Sequence, residues 1–280
     1  MFHAILSENR FFWNLGMEIA SLPRPNGGPF MSARTLDIIL PCYNPPDGWA
    51  QEIEISIREI QATFGDEVAI TLIIVNDGSL NPLRDSDMTL IEAAVPMLKY
   101  LQYVRNRGKG YALRQGLGLA KSEYQIYTDI DFPYTTQSLV AVYYTLARGH
   151  SDIAVGTRDS DYYLHVPPIR RFISRFLRWM LRTFLRIKIA DTQCGLKGFN
   201  ADGRHIFAQT HIKRFLFDLE FIFLASSDER IRLEAVPVQL KPGIEFSKAR
   251  IGILLRESLN FGTIFFRGIG NRIRNTLRKR

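Results

Sequence analysis

Asp129 and Asp131 stand one residue apart in the stretch Tyr127-Thr128-Asp129-Ile130-Asp131. The stretch reads as the end of a buried strand, Glu123 to Ile130. Residues i and i+2 of an extended strand point to the same side. Both carboxylates therefore aim at one ion if the strand persists, or reach it from a strand-to-loop turn. Two hard oxygen ligands at the carboxyl end of a strand suit Mg²⁺ or Mn²⁺ holding a diphosphate, whose own oxygens complete the shell. Taken alone, an Asp-x-Asp is more often a pair of solvated loop carboxylates. The other polar residues of the chain have to carry the reading.

Three more groups of such residues fall where strands end. Leu36 to Leu40 reads as a short apolar strand, stopped by Pro41-Cys42-Tyr43-Asn44-Pro45-Pro46 because a Pro-rich loop cannot continue a ladder. Ala69 to Val75 is almost wholly apolar, the mark of a strand buried on both faces. It ends in Asn76-Asp77-Gly78-Ser79, a sharp turn with a carboxylate. A strand near Tyr100 to Val104 leads into Arg105-Asn106-Arg107-Gly108-Lys109-Gly110. There two glycines permit close backbone approach, and a basic helix entrance suits an anion. An ordinary turn with solvated charges would look the same.

The elements that must position these residues follow from periodicity. Helical spacing covers Trp49 to Phe64, about Leu83 to Val95, Gly110 to about Lys121, and Thr136 to Arg148. Further strands are expected at Asp152 to Val155 and Ile231 to Val238. Strand and helix alternating in this way predict an α/β fold, a mostly parallel central sheet with helices on both faces. Ligands bind outside the carboxyl ends of such strands, which is where Tyr43, Asp77, Asp129 and Asp131 gather. Ala190 to Asn200, polar and with two glycines, reads as a shaped loop. Asp218 and Glu220, inside the aromatic run Phe215 to Phe221, need partners if buried or mark a helix N-terminus.

Two stretches differ. Between Ile169 and Lys188, Arg171, Arg175, Arg178, Arg182 and Arg186 recur at spacings of 4, 3, 4 and 4, opposite an apolar and aromatic face. This suits a helix lying in an anionic membrane interface, or a core-packed helix with a solvated basic face. The last thirty residues form a second basic amphipathic segment, ending in Arg278, Lys279 and Arg280. Two such elements favour peripheral attachment to an anionic membrane surface. The chain has 280 residues, 46% of them apolar, with 36 Lys and Arg against 28 Asp and Glu. Its pI near 9.6 favours polyanionic partners. Nucleic acid is not among the expected partners, since no nucleic-acid-binding motif accompanies the charge. Cys42 and Cys194 are too far apart to suggest a disulfide framework or zinc pattern. No basic region followed by a long apolar one makes a persuasive secretory signal, and with no run of about 18 apolar residues no conventional membrane-spanning helix is expected. Residues 1–30 are expected to be an appendage, disordered or a misassigned start, with the functional domain at 31–240 and the basic segment at 241–280.

Taken together, the motifs resemble those of the family 2 glycosyltransferases, most closely the branch that moves sugars onto polyprenyl or dolichyl phosphate. The carriers are Ile39-Leu40-Pro41-Cys42-Tyr43-Asn44, Val75-Asn76-Asp77-Gly78-Ser79, Asn106-Arg107-Gly108-Lys109-Gly110, Asp129-Ile130-Asp131, Gly156-Thr157-Arg158, Asp191 to Phe199, and Phe217-Asp218-Leu219-Glu220. The Asp191 to Phe199 segment is especially similar to the dolichyl-phosphate glucosyltransferase type.

The resemblance implies a GT-A, Rossmann-like nucleotide-sugar fold with basic helices at the membrane interface. It implies a UDP- or GDP-hexose donor, a polyprenyl-phosphate-type lipid acceptor, and a place on the cytoplasmic face of a membrane. Pro41, Tyr43, Asn44 and Asp77 would meet the nucleotide, with Lys109 beside it. Asp129 and Asp131 would bind the Mg²⁺ or Mn²⁺ diphosphate, Asp131 being essential to turnover. Arg158, with Arg170 or Arg171, would bind the acceptor phosphate, and Asp191 would stand near the reacting centre. Two positions depart from the pattern. Pro45 replaces an acid that often follows Tyr-Asn, and Pro133 stands where some members supply a third metal ligand. Many relatives also carry carboxyl-terminal membrane spans, where this chain has only the basic amphipathic tail. The expected reaction is inverting transfer of a hexose to a lipid phosphate. A hydroxyl acceptor on a lipid or polysaccharide is the alternative, followed by a catalytically idle nucleotide-sugar sensor or membrane scaffold.

Overall fold

A computed structural model describes residues 34–95, 97–158, 189, 191–214 and 216–243. Residues 1–33, the basic stretch 169–188 with Arg170 and Arg171, and residues 244–280 lie outside the described residues. The appendage and both membrane-interface helices therefore stand as expectations.

The described residues build one seven-stranded sheet. Its strands are β1 (Arg34–Cys42), β2 (Val68–Asn76), β3 (Met97–Gln102), β4 (Tyr124–Tyr127), β5 (Ile153–Arg158), β6 (Lys197–Phe199) and β7 (Leu233–Val238). The helices are α1 (Trp49–Phe64), α2 (Asp85–Ala94), α3 (Lys109–Leu119), α4 (Thr136–Ala147), α5 (Ala201–Ala208) and α6 (Phe217–Ser227). The sheet order is β3-β2-β1-β4-β6-β5-β7. β1 pairs in parallel with β2 and β4, β2 with β3, and β5 with β7. β6 runs antiparallel to both of its neighbours.

Successive residues of the central strands fall into different layers. Ile38, Leu72, Ile74, Ile126 and Ala154 pack on one face with residues of α1, α2 and α4. Ile39, Ile73, Val75, Tyr127 and Val155 pack on the other with residues of α3, α5 and α6. Covering both faces is why β1 and β2 read as nearly unbroken apolar runs. The expected fold class and most elements hold, within a few residues at their ends.

Two departures have physical causes. β4 stops at Tyr127, three residues short of the expected end. Its last partners are Ile39 on β1 and Lys197 on β6, and after the bond from Thr128 N to Ile39 O (3.3 Å) the ladder ends. Asp129 and Asp131 are therefore presented by a turn, closed by Phe132 N donating to Asp129 O at 3.1 Å. Phe132 takes a left-handed φ of 42° to reverse the chain. The second departure is β6, a strand inside the stretch read as a loop. Lys-Gly-Phe has neither alternation nor strong β propensity, and the strand exists because its flanks, β4 and β5, offer open edges to it.

Candidate active site

The strands after β1 lie on opposite sides of it, β2 and β3 on one side and β4 on the other. At such a reversal the loops leaving adjacent strand ends diverge, and a crevice opens at the carboxyl edge. A cavity of about 400 Å³ lies there. Its walls come from Pro41 and Cys42 at the end of β1 with Tyr43 just beyond, Asp77 after β2, Asn106, Gly108 and Lys109 at the entrance to α3, and Asp129 to Asp131 after β4. Of the residues expected from sequence, Pro41, Tyr43, Asp77, Lys109, Asp129 and Asp131 are thus brought together. Asn44, Arg158 and Asp191 do not line this cavity.

Asp77 is buried and its carboxylate is fully engaged. Oδ1 accepts from Tyr103 Oη (2.7 Å) and Arg107 N (2.7 Å), while Oδ2 accepts from Asn106 Nδ2 (2.9 Å) and Gly108 N (2.8 Å). These bonds hang the 105–108 loop from the end of β2. Both turns involved need glycine. Gly78 has φ 68° and Gly108 φ 101°, and a Cβ on either would meet backbone at 2.6 Å or closer. Asn44 braces the neighbouring turn: its Oδ1 accepts from Leu80 N at 2.8 Å, and its own N donates to Ser79 Oγ at 3.0 Å. Tyr43 remains 44% exposed, with its ring free to meet a ligand. Burial pushes the Cys42 thiol up to about 12, against the weaker opposite pull of Ser79. This cysteine is inert wall rather than nucleophile.

The charged end of the cavity is built around Asp129. Lys109 Nζ, on the first residue of α3, donates to Asp129 Oδ1 at 2.5 Å. Burial works to lower the Lys109 ammonium, but the charges of Asp129 and then Asp218 outweigh it, so lysine is held charged. Burial and then the charge on Asp129 push the Asp131 carboxyl above its ordinary value. A divalent cation would relieve this repulsion between the two acids. Among the described residues no three His, Cys, Asp or Glu gather as a self-sufficient metal centre. Two carboxylates beside an open cavity fit a Mg²⁺ or Mn²⁺ that borrows its remaining oxygens from substrate phosphates and water. Asp129 and Asp131 would hold it.

Arg214 also lines the cavity, and sequence reading passed over it. It belongs to no motif, and only the approach of its Cγ to Gly108, 2.9 Å from where a Cβ would be, puts it at the mouth. It adds a second cation to a site suited to a polyphosphate.

Arg158 and Asp191 meet each other at the carboxyl end of β5. Nε and Nη2 of Arg158 donate to Asp191 Oδ2 and Oδ1 at 2.7 and 2.8 Å, a bidentate pair, and Arg158 N adds a third bond at 3.2 Å. Burial works to raise the Asp191 carboxyl, but the Arg158 guanidinium wins and holds it below its ordinary value. Asp191 is therefore an ionised anchor and a weak base.

The chain is 26% identical over 205 residues to a dolichyl-phosphate β-glucosyltransferase of Dictyostelium discoideum, an alignment covering 68% of this chain and 62% of that protein. It is 27% identical over 242 residues to the human dolichyl-phosphate β-glucosyltransferase, covering 78% and 70% respectively. The chain spans 62–66% of the length of the Dictyostelium, Drosophila and yeast relatives. In fold it resembles glucosyl-3-phosphoglycerate synthase from Mycobacterium tuberculosis, crystallised with Mn²⁺, UDP-glucose and phosphoglyceric acid. The TM-score is 0.57 at 15% identity, over 85% of this chain and 80% of that one. The seven-stranded sheet is thus of the expected GT-A type. Residues 37–203, more than half of the chain and the stretch that carries every strand end at the cavity, match the model of glycosyl transferase family 2, and the chain belongs to that family.

Proposed function

We propose that this protein is a metal-dependent, inverting glycosyltransferase. It moves a hexose from a nucleotide diphosphate sugar to the phosphate of a polyprenyl-type lipid at a membrane surface. The observation that carries this reading is the cavity at the sheet reversal, where Asp129 and Asp131 face Lys109 and Arg214. Similarity to dolichyl-phosphate β-glucosyltransferases supports the acceptor class.

In this reading the nucleotide lies across the ends of β1 and β2, over Pro41 and beside Tyr43. Asp77 shapes that surface by holding the 105–108 loop. Asp129 and Asp131 hold a divalent cation, which when bound supplies Lewis-acid neutralisation of the departing diphosphate. Lys109 and Arg214 add fixed positive charge toward the same group, in place of water that would have to reorganise. Arg158 is aligned by Asp191 to meet the acceptor phosphate, with Arg170 and Arg171 as further candidates. A phosphate acceptor is already ionised at neutral pH and needs no strong base. That requirement agrees with an Asp191 whose two oxygens are committed to Arg158.

The test is thermal stability against UDP- and GDP-sugars with and without Mn²⁺. A ligand at 100 times its dissociation constant adds about 2.7 kcal/mol, so a metal-dependent rise with one nucleotide is expected. No rise with any nucleotide in a folded sample would remove the donor site. Transfer to a polyprenyl phosphate should then give a product that mild acid hydrolyses. An acid-resistant product would mean a hydroxyl acceptor.

A further inference from the structure

Two motifs remain outside the cavity, the Cys194 to Phe199 stretch and the acids that open α6. They meet in the interior. Lys197 on β6 is fully buried. Its Nζ donates to Asp218 Oδ1 and to Cys194 O, each at 2.5 Å. Asp218 Oδ1 also accepts from Tyr127 Oη at 2.6 Å, and Tyr127 is the last residue of β4. The Cys194-Gly195 turn is gripped from its other side by Tyr134, whose Oη accepts from Gly195 N (3.0 Å) and Cys194 Sγ (3.3 Å). The turn in its grip abuts the cavity: a Cβ on Gly195 would lie 2.5 Å from Asp129 Oδ2. Asp129 is thus held between Lys109 on one oxygen and the bare α-carbon of Gly195 on the other. The contacts close a ring, from Tyr127 through Asp218, Lys197, Cys194 and Gly195 to Asp129, two residues beyond Tyr127.

A buried ion pair is a poor device for stability, since apolar residues of similar volume often do as well or better. Lys197 is sealed from the cavity and cannot touch a substrate. We propose that Lys197 and Asp218 are positioning residues that fix the Cys194-Gly195 turn and thereby the carboxylate of Asp129. The inference rests on the reading of Asp129 as a ligand of the donor's metal ion.

The experiment replaces the network as a unit, Tyr127→Phe, Lys197→Met and Asp218→Leu together, so that no buried charge or hydroxyl is stranded. Three readouts apply. Hydrogen exchange at the Gly195 amide should speed up about ten-fold or more while the amides of β1 and β2 keep their protection. The affinity for Mn²⁺, read from the free-ion EPR signal in the presence of UDP or GDP, should fall about ten- to hundred-fold. Donor turnover should show the loss chiefly in kcat and Mn²⁺ requirement rather than in donor KM. A folded triple variant with unchanged Gly195 exchange and unchanged Mn²⁺ affinity overturns the inference. If the triple variant does not fold, Gly195→Ala decides. It presses a methyl on Asp129 and leaves the network intact, so wild-type Mn²⁺ affinity there overturns the inference equally. A wild-type protein that binds no Mn²⁺ with either nucleotide removes the functional reading instead, and the exchange measurement still decides whether the pair holds the turn.

Discussion

At the scale of single residues, the candidate site separates groups that line the cavity, and are proposed to meet a ligand, from groups that hold others in place. Asp131 is of the first kind: it lines the cavity, and burial with the neighbouring Asp129 raises its carboxyl. Asp131→Asn keeps the shape and removes the charge, and should abolish turnover while leaving the melting temperature at or above that of the wild type. Near-normal transfer by this variant would end the metal assignment. Arg214 should behave differently. It is exposed, so Arg214→Ala should fold normally, weaken binding of a nucleoside diphosphate by about ten-fold, and leave the nucleoside itself unaffected, as calorimetry would read. Lys197 is of the second kind. Lys197→Met alone strands the Asp218 carboxylate in the core and should cost about 3–5 kcal/mol in urea unfolding, far more than the paired replacement. The acids and the glycines at these places were legible in the chain. The partners of Asp218, and the engagement of Asp77 by four donors, were not, because they come from residues 21 to 91 positions away.

Among the elements, the sheet is tied at the end opposite the cavity by Asp152. Its carboxylate takes bonds from Arg232 N (2.9 Å), Arg232 Nε (3.0 Å), Arg232 Nη2 (2.7 Å) and Asn200 Nδ2 (3.0 Å). It joins the starts of β5, β7 and α5. The hydrogen bonds from Arg232 lead in bringing its carboxyl down to about 2, from an ordinary value of 3.8. A carboxyl lowered in the folded state stabilises fully above its unfolded value and loses that contribution as pH falls toward the folded one. Stability should therefore drop by roughly 1–2 kcal/mol between about pH 4 and pH 2, after allowance for the exposed Arg232. Asp152→Asn should flatten that part of the profile in acid titrations followed by circular dichroism. At the other end, α3 depends on Gly108. Gly108→Ala forces an L-residue into φ 101° and a Cβ toward Lys213 O, and should cost about 1–3 kcal/mol together with the placement of Lys109. Helix α1 was legible to the residue from its apolar spacing, since one strongly amphipathic face packs on the sheet. β6 was invisible, since a three-residue strand with a buried lysine carries no pattern of its own.

On the scale of the whole molecule, the proposed work at a membrane needs the lipid phosphate to reach Arg158. No helix among the described residues is long and apolar enough to cross a bilayer. The basic amphipathic stretches at 169–188 and in the last thirty residues are the expected contacts. The protein should bind anionic vesicles at low salt and release them as salt screens the charge, and failure to sediment with such vesicles would remove the membrane part of the proposal. The sequence by itself determined the α/β class, the alternation of strands and helices from β1 through β5, and the polar residues at those strand ends, because apolar periodicity and turn chemistry are local properties. Tertiary structure alone decided which of those ends adjoin. The reversal between β1 and β4 brings Tyr43, Lys109, Asp129 and Asp131 to one cavity and adds Arg214, while the insertion of antiparallel β6 sets Arg158 and Asp191 apart as a pair. Strand order is a matter of long-range pairing, paid in loop-closure entropy and settled by which edges and faces bury together, and no stretch of the chain records that outcome on its own.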